Sequence, residues 1–532
     1  APSSSPLRSG QSASPAPLRL RPRRMPGATP DTPCRVHRLV VRGAEQTHES
    51  VIRNELRALR TASNLGEIHA ACAVAAAHLE SLQIFEAADF AVDRARADGS
   101  QGDMPLADVV VTVSERQRLA TASTGVHSTA GEGSMDAEVR VRNLFGRAEV
   151  LGVEMEAGQH KSNTFRLYAT KPRWGGADAR LHAEVCKTVL SHQRKSSRSG
   201  DGRAETEGRE WRRAGAANRS SYSEKGHTAS VSAAVGHAAL PGGCHEVSYE
   251  AGLREVCHVP VRTSSWAVLS QRGLSAKSSL KHSFSRASLD DAILPTRGAL
   301  LRLTTEVAGL GGVGDAAFQK HTAEARVHTP LAALGLPQLS LSVAATLGLL
   351  LPRRAAPLPA TGDSVPPPAP LMPPHGVFLP DRLFLGGPNS LWGFRTHGVG
   401  PREQRHTSTG LPHAKTPRDS LGGEVLATSS LSLSAPMPGR QFEKLGARAH
   451  AFASAGALHS LGGLTGTAAE GLPPPSPGAA FVAGLRSCIG VGLAFPTPLG
   501  RLEVNLTQVL RRMPGDSVVR NGLQVGISPP AA

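Results

Sequence analysis

From about residue 119 to residue 528 the chain alternates apolar and polar residues, and helical periodicity is nearly absent. Val139 and Val141 alternate with Glu138, Arg140 and Arg142, and Leu151, Val153 and Met155 alternate with Gly152, Glu154 and Glu156. Phe165, Leu167 and Ala169 alternate with Arg166, Tyr168 and Thr170; the habit runs on through Ala229, Val231 and Ala233 to Leu523, Val525 and Ile527. Successive side chains of a strand point to opposite faces, so a period of two builds a sheet with one greasy face and one polar face. The greasy face must be covered, either by a second sheet in water or by lipid. Charged residues such as Glu184, Arg302 and Glu306 recur on the polar face, as if it bordered enclosed water.

Strands of about ten residues with apolar-out, polar-in alternation are the signature of a membrane β-barrel, and closure leaves no unpaired sheet edge in lipid. At about 25 residues per strand with its connection, residues 119–528 hold about 16 strands, an even number as outer-membrane barrels prefer. The expected fold is therefore mainly β: a transmembrane antiparallel barrel of about 16 strands, preceded by one small α+β domain. Only 4 Trp and 3 Tyr are available for the aromatic girdles of such a barrel, which keeps a large soluble all-β protein open as the other reading. The segment nearest to a transmembrane helix, LGLPQLSLSVAATLGLLL at 334–351, has its apolar residues at 339, 341, 343, 345, 347, 349 and 351. That is strand periodicity.

The first part of the chain reads differently. VHRLVVRG (36–43) is a strand ending at a glycine; HESVIRNELRAL (48–59) is a helix with Thr47 placed to cap it. EIHAACAVAAAHLESL (67–82) is a second helix, and AADFAVDRA (87–95) and ADVVVTVSE (107–115) are two more strands. The order β-α-α-β-β over 34–117 makes a three-stranded sheet with two helices on one face. Residues 1–33, rich in Ser, Pro and Arg, read as a disordered tail, since prolines break the amphipathic helix a transit peptide would need.

Composition narrows the chemistry. The chain carries 59 Lys+Arg against 43 Asp+Glu, a formal charge of +16, which favours acidic partners. The charge is spread out and aromatics make up only 4%, whereas nucleic-acid binders interleave basic and aromatic residues; no nucleic acid is expected. The 6 cysteines contain no C-x-x-C. Cys244-His245 and Cys257-His258 are adjacent pairs, whose side chains point to opposite faces of a strand and so make poor zinc spacing. GLGGVG (309–314) matches a dinucleotide fingerprint, but the alternating strand before it carries Arg302, Thr304 and Glu306 and no acid lies between Glu324 and Asp363. A glycine turn between antiparallel strands is the plainer reading. With no G-x-S-x-G, H-E-x-x-H or P-loop in the chain, neither enzymatic activity nor a catalytic residue, metal or cofactor is expected. Solvated insertions are expected at about 193–225, 352–376, 401–420 and 463–478.

FLGGPNSLWGFRTHGVGP (384–401) sets large aromatics on a glycine-rich backbone. With the small α+β module ahead of a long barrel, FLGGPNSLWGF resembles the signature of the BAM-type outer-membrane assembly superfamily (bacterial surface antigen), in which a long loop folds back into the barrel lumen. RNLFGRAE (142–149), LPTRG (294–298) and GVGPR (398–402) resemble its mitochondrial branch, the central subunits of the sorting and assembly machinery (SAM complex), and 34–117 is similar to a single POTRA domain. The resemblance assigns the lumen-loop motif to Leu385, Gly386, Gly387, Leu391, Trp392, Gly393, Phe394 and Arg395. Trp392 stands where the family usually has an Arg that pairs with an acid on the barrel wall. In VRNGLQVGISPP (519–530), Arg520, Gly522, Val525 and Ile527 match the pattern of a mitochondrial β-signal, and the last strand would meet the first, near Ala120–His127, at a lateral seam. Gly522 would be a weak point of that strand.

The resemblance implies insertion of unfolded β-barrel precursors into the mitochondrial outer membrane by strand templating at the seam. Accessory subunits of a sorting and assembly complex and the lipid bilayer would be its other partners. A transport channel for solutes or polypeptide in the same superfamily is the alternative function, and a plastid outer envelope the alternative location.

Overall fold

In the computed structural model, the described residues are 29–94, 106–117, 119–129, 132–158, 162–174, 178–191, 221–237, 242–260, 264–353, 377–405, 418–462, 476–497 and 500–530. Most of the amino-terminal tail and of the expected insertions therefore lies outside the described residues. Contact clustering divides the chain into two compact units: 1–122 with 139–152 and 169–181, and the remainder.

In the first unit, β1 (Arg35–Arg42) lies parallel to β3 (Leu106–Glu115), which pairs antiparallel with β2 (Phe85–Arg94). Helices α1 (Glu49–Glu55) and α2 (Leu65–Ser81) pack on this sheet through Ile52, Ile68, Cys72, Leu79, Phe90, Val109 and Val111, all buried. The strand-helix-helix-strand-strand order is the expected one. Helix α1 ends at Glu55, short of the expected 59, and both helix starts differ from expectation. Helix α2 begins earlier because Asn64 caps it, accepting from the Glu67 N–H at 2.7 Å while Glu67 accepts from the Ser63 N–H at 2.7 Å. Thr47 does not cap α1; His48 holds the cap position without a side-chain bond. The N–H groups of Gln46 and Thr47 donate instead to the Glu115 carboxylate at 2.9 and 2.8 Å.

Burial by itself would raise the Glu115 carboxyl, but the Thr47 and Gln46 donors outweigh it and hold the group below the ordinary carboxylate range. A folded pKa below the unfolded one gives stability that is whole above the unfolded value, about 4.3, and is lost as the pH falls through the folded value. Glu115→Gln is expected to lower the stability of this unit by about 1 kcal/mol at neutral pH and to flatten its unfolding between pH 5 and pH 3, as read by circular dichroism.

The rest of the chain is built on a 16-stranded sheet. Its strands are β4 (Ala120–Thr129), β5 (Glu132–Arg142), β6 (Val150–Gly158), β7 (Asn163–Lys171), β8 (Ala179–Ser191) and β9 (Ser223–Gly236). β10 (Cys244–Cys257), β11 (Gly273–Ala287), β12 (Gly298–Ala308), β13 (Phe318–Leu331) and β14 (Leu336–Pro352) follow. After a hairpin of β15 (Arg402–Gln404) and β16 (Arg418–Ser420) come β17 (Val425–Pro436), β18 (Arg448–His459), β19 (Arg486–Thr497), β20 (Gly500–Arg511) and β21 (Leu523–Ser528). The order is sequential, with β4 and β21 as the two end strands.

Two expected insertions are shorter than their sequence suggests. β9 starts at Ser223 because Ser223 and Glu224 continue the ladder opposite Cys257 and Val256, and both ends of 401–420 pair with each other as β15 and β16. GLGGVG is the turn between β12 and β13.

Burial is inverted relative to a protein in water. On β20, Glu503, Asn505 and Thr507 are buried, while Leu506 and Leu510 are exposed at 56% and 58%. β14 exposes Val343 and Leu347 and buries Ser340. The reversal repeats on other strands, with Val231 and Val235 of β9, Val247 and Leu253 of β10 and Ile489 and Val491 of β19 all exposed, whereas water-soluble monomers rarely expose large apolar patches. Among the described residues, no helix is long and apolar enough to cross a membrane.

Candidate functional site

Residues 377–405 and 418–423, which lie between β14 and β17 in the chain, are held against the polar face of the sheet. Their entry is fixed by charge. Asp381, 3% exposed, accepts two hydrogen bonds from Arg254 of β10, at 2.6 and 2.9 Å, and Lys320 of β13 donates to its carbonyl at 3.0 Å. Beside it Lys277 of β11 bridges Glu306 of β12 at 2.5 Å and Glu250 of β10 at 3.4 Å. Leu379 is fully buried and donates its N–H to Gln271 at 2.7 Å.

Further along, the chain doubles back on itself. Leu383 bridges to Gly423 and Leu385 to Val399. A turn at Gly387–Ser390 carries Pro388 and then Asn389 at φ 66, the residue types a type II turn asks for at those positions. Leu385, Leu391, Trp392, Phe394 and Val399 then pack into one cluster with Leu458 of β18 and Cys488 of β19. The large aromatics thus anchor the loop, and the glycines let its backbone approach the sheet. At Gly393, φ is +82 and an added Cβ would stand 2.8 Å from Val509 Cγ2 of β20, so only glycine fits.

The tip is bonded to the last strand. The Gly393 N–H donates to Gln524 Oε1 at 2.6 Å, and Gln524 Nε2 donates to the Phe394 carbonyl at 3.0 Å. The Val519 N–H donates to the Gly393 carbonyl at 2.9 Å, and the Arg395 N–H to the Ser517 carbonyl at 2.9 Å. Asn389 Nδ2 donates to the Ile527 carbonyl at 2.8 Å, while Ser528 Oγ donates to Asn389 Oδ1 at 2.7 Å. Trp392 lies over Gly526: a Cβ there would be 2.9 Å from Cη2 of the indole and 2.7 Å from Cβ of Pro388. β21 itself pairs with only six residues of β20, Arg501–Leu506.

The loop residues Leu385, Gly386, Gly387, Leu391, Trp392, Gly393 and Phe394 are all buried, and Arg395 is half-buried. Trp392 fills the apolar cluster and faces a cavity of about 270 Å³ that it shares with Glu503, Arg501, His450 and Ser528. Glu503 takes its cation from its own strand, Arg501 Nε at 2.6 Å, and accepts from Asn505 Nδ2 at 2.9 Å.

In the last strand, Val525 points outward at 55% exposure and Ile527 is half-buried. Arg520 and Gly522 fall just before β21, in the turn that leads into it. Gly522 adopts φ +67, and a Cβ would meet the Thr507 carbonyl oxygen at 2.4 Å. Its glycine answers a backbone requirement at the turn, where the sequence suggested a gap in strand packing. Gln524, Gly526, Asn389, Asp381 and Arg254 were not singled out from the sequence. The one available signal was Gln524, a polar residue on the inward side of the last alternation.

Comparison with known proteins fits this geometry. The family model of the Omp85 superfamily domain matches residues 143–529. A SAM50-like protein of Schizosaccharomyces pombe is 29% identical over 504 residues, covering 93% of this chain and 90% of that protein. The human sorting and assembly machinery component 50 homolog is 28% identical over 497 residues, 91% of this chain and 87% of its own length. Among solved structures, BamA from Haemophilus ducreyi lacking POTRA domains 1–3 has the same fold, with a TM-score of 0.67 at 17% identity over 93% of this chain and 83% of that one.

Proposed function

This chain belongs to the Omp85 superfamily, and from that membership we propose that it inserts and assembles β-barrel precursor proteins in the mitochondrial outer membrane. The sheet closes into a barrel in the bilayer, its apolar face in lipid, with β4 and β21 meeting at a seam that opens to admit precursor strands. No chemical step is involved. An opened edge presents unpaired N–H and C=O groups, each costing several kcal/mol in hydrocarbon, and an incoming strand satisfies them by adding to the sheet. Unfolded precursors are thus the clients, and accessory subunits of a sorting and assembly machinery are the standing partners, in keeping with the names of the similar proteins.

One observation carries this reading. The last strand is held to the sheet by a six-residue ladder, and on its inner side by the loop through Gln524, Ile527 and Ser528. A strand tethered so briefly on one side keeps its place when the seam opens because the loop holds it, leaving its other edge free for a client.

Depletion of the protein followed by import of labelled mitochondrial porin tests the proposal. Porin is expected to cross the outer membrane and to stall before its mature oligomer on a native gel. Normal maturation of porin with altered membrane permeability would replace assembly by a transport channel.

A further inference from the structure

The cavity that Trp392 faces exists because the side chains beneath it are small. On β14, β17 and β18 its lining includes Ser342, Thr346, Thr428, Ser430, Ser432 and Ser454, where a closely packed interior would carry larger residues. They leave about 270 Å³ between the sheet and the loop turn. A space lined by hydroxyls takes polar occupants, unlike an apolar void, which stays dry. Asn389 and Ser390 of the turn also line it and are exposed, so solutes can reach it.

One buried side chain in this wall is left without a partner. The His450 side chain is 2% exposed and stands 3.7 Å from the Glu503 carboxylate, yet neither of its ring nitrogens makes a hydrogen bond. Buried polar groups are nearly always bonded, because leaving one unbonded is costly. His450 also lines a second, narrow space, which shares Ser342, Ser432 and Arg501 with the cavity and adds Arg448 of β18 and Pro295 of the turn after β11. The two spaces therefore meet around His450, Arg501 and Ser432.

Positive charge is in excess there. The two linings carry Arg326, Arg448 and Arg501 against one carboxylate, Glu503. Arg501 pairs with Glu503 and Arg326 with Glu324, each at 2.6 Å. Among the described residues Arg448 makes no ion pair; its guanidinium donates to the hydroxyls of Ser340 and Ser434 at 3.1 and 3.3 Å. Asp290, in the turn that carries Pro295, is already taken: it accepts from the N–H groups of Thr296 and Arg297 and from the Thr296 hydroxyl. An imidazole, a guanidinium and a hydroxyl from three different strands reach a ligand from several directions. That suits a tetrahedral oxyanion better than a planar carboxylate, which matches the fork of a single arginine.

We propose that this cavity binds a phosphate group, free or as the monoester of a small polar molecule. Its oxygens would meet His450, Arg501 and Ser432, with the unpaired charge of Arg448 behind them, and the rest of a monoester would lie among Thr428, Ser430 and Ser454. A diacyl phospholipid is excluded as the source, because a hydroxyl-lined space of about 270 Å³ has no room for acyl chains. The site lies between the loop and strands β13 to β20 and needs no seam. Its failure leaves the assembly reading intact, and the failure of that reading leaves the site intact.

The test is isothermal titration calorimetry of the full chain in detergent micelles, in chloride buffer of constant ionic strength. Inorganic phosphate and glycerol 3-phosphate are the probes, and acetate is the control anion. Saturable binding of one phosphate group per chain is expected. Tighter binding of glycerol 3-phosphate identifies a monoester as the ligand, and equal binding identifies phosphate alone. His450→Leu is expected to weaken binding about ten-fold or more, the effect of one hydrogen bond to a charged group. It removes an unbonded buried group, so folding is expected to survive, with semi-native gels as the check. Arg448→Gln is expected to weaken binding about five-fold through lost charge, and decides alone should His450→Leu fail to fold. Lys225→Gln on β9, which breaks only the pair with Glu255, is expected to change nothing. No saturable binding of either probe, equal binding of acetate, or wild-type affinity in a folded His450→Leu overturns the proposal.

Discussion

Arg254→Ala is expected to destabilise the sheet and its inner loop by about 3–5 kcal/mol, the usual cost of removing one partner of a buried ion pair. The Asp381 side chain is 2% exposed and that of Arg254 is 12% exposed. Among the described residues, no other cation is bonded to the oxygens of that carboxylate; Lys320 donates to its main-chain carbonyl. Taking the charge off both sides with Arg254→Met and Asp381→Asn is expected to recover much of the loss, because the penalty lies in the uncompensated charge more than in the absent bond. The check is the temperature at which the folded band converts to the unfolded one on a semi-native gel. If the single and double variants shift it equally, Asp381 is not held by this pair.

Gly393→Val is expected to leave the sheet folded while lowering porin assembly roughly ten-fold, which corresponds to about 1.4 kcal/mol. A left-handed conformation costs a residue with a Cβ about 1–2 kcal/mol, and the added side chain meets Val509 Cγ2 at 2.8 Å or less. The tip must retreat, giving up the Gln524 hydrogen bond that holds β21 from within and the Val519 bond in the turn before it. Gly393→Ala is expected to lie between wild type and Gly393→Val. Kinetics of porin maturation in isolated mitochondria, with semi-native gels to confirm folding, provide the readout. Wild-type kinetics in Gly393→Val would mean that the loop only fills the lumen.

Much of this architecture is legible in the sequence because strands report themselves locally. The alternation at 339–351 is enough to place β14, and the spacing of such runs is enough to count about sixteen strands. The α+β unit is equally plain, since its second helix carries an alanine-rich i, i+4 pattern. Caps were harder. Asn64 and Glu67 form a recognisable pair, whereas Thr47, an apt residue type in the apt place, is taken by Glu115 from the far end of β3, and no local pattern announces a partner that distant. The same limit hid most of the site. The loop motif is visible as glycines and aromatics, but what it grips is set by contacts of long sequence separation: Asp381 with Arg254, Gly393 with Gln524, Trp392 with Gly526. The surroundings of Trp392 are visible only in three dimensions, where the indole joins an apolar cluster and Glu503 pairs with Arg501. Gly522 illustrates the converse: its importance was visible, but its reason, a left-handed turn against Thr507, was not.

The central claim is that clients are templated on the free edges of β4 and β21. Disulfide trapping during import measures this directly, with single cysteines at Thr124 on β4 and Val525 on β21, a control cysteine at Ala453 on β18, and a porin precursor carrying a cysteine in its final strand. Templating predicts adducts at Thr124→Cys or Val525→Cys that appear with the stalled intermediate and disappear as porin matures, and none at Ala453→Cys. Efficient assembly with no adduct at either edge, or with adducts equally strong at Ala453→Cys, would contradict it.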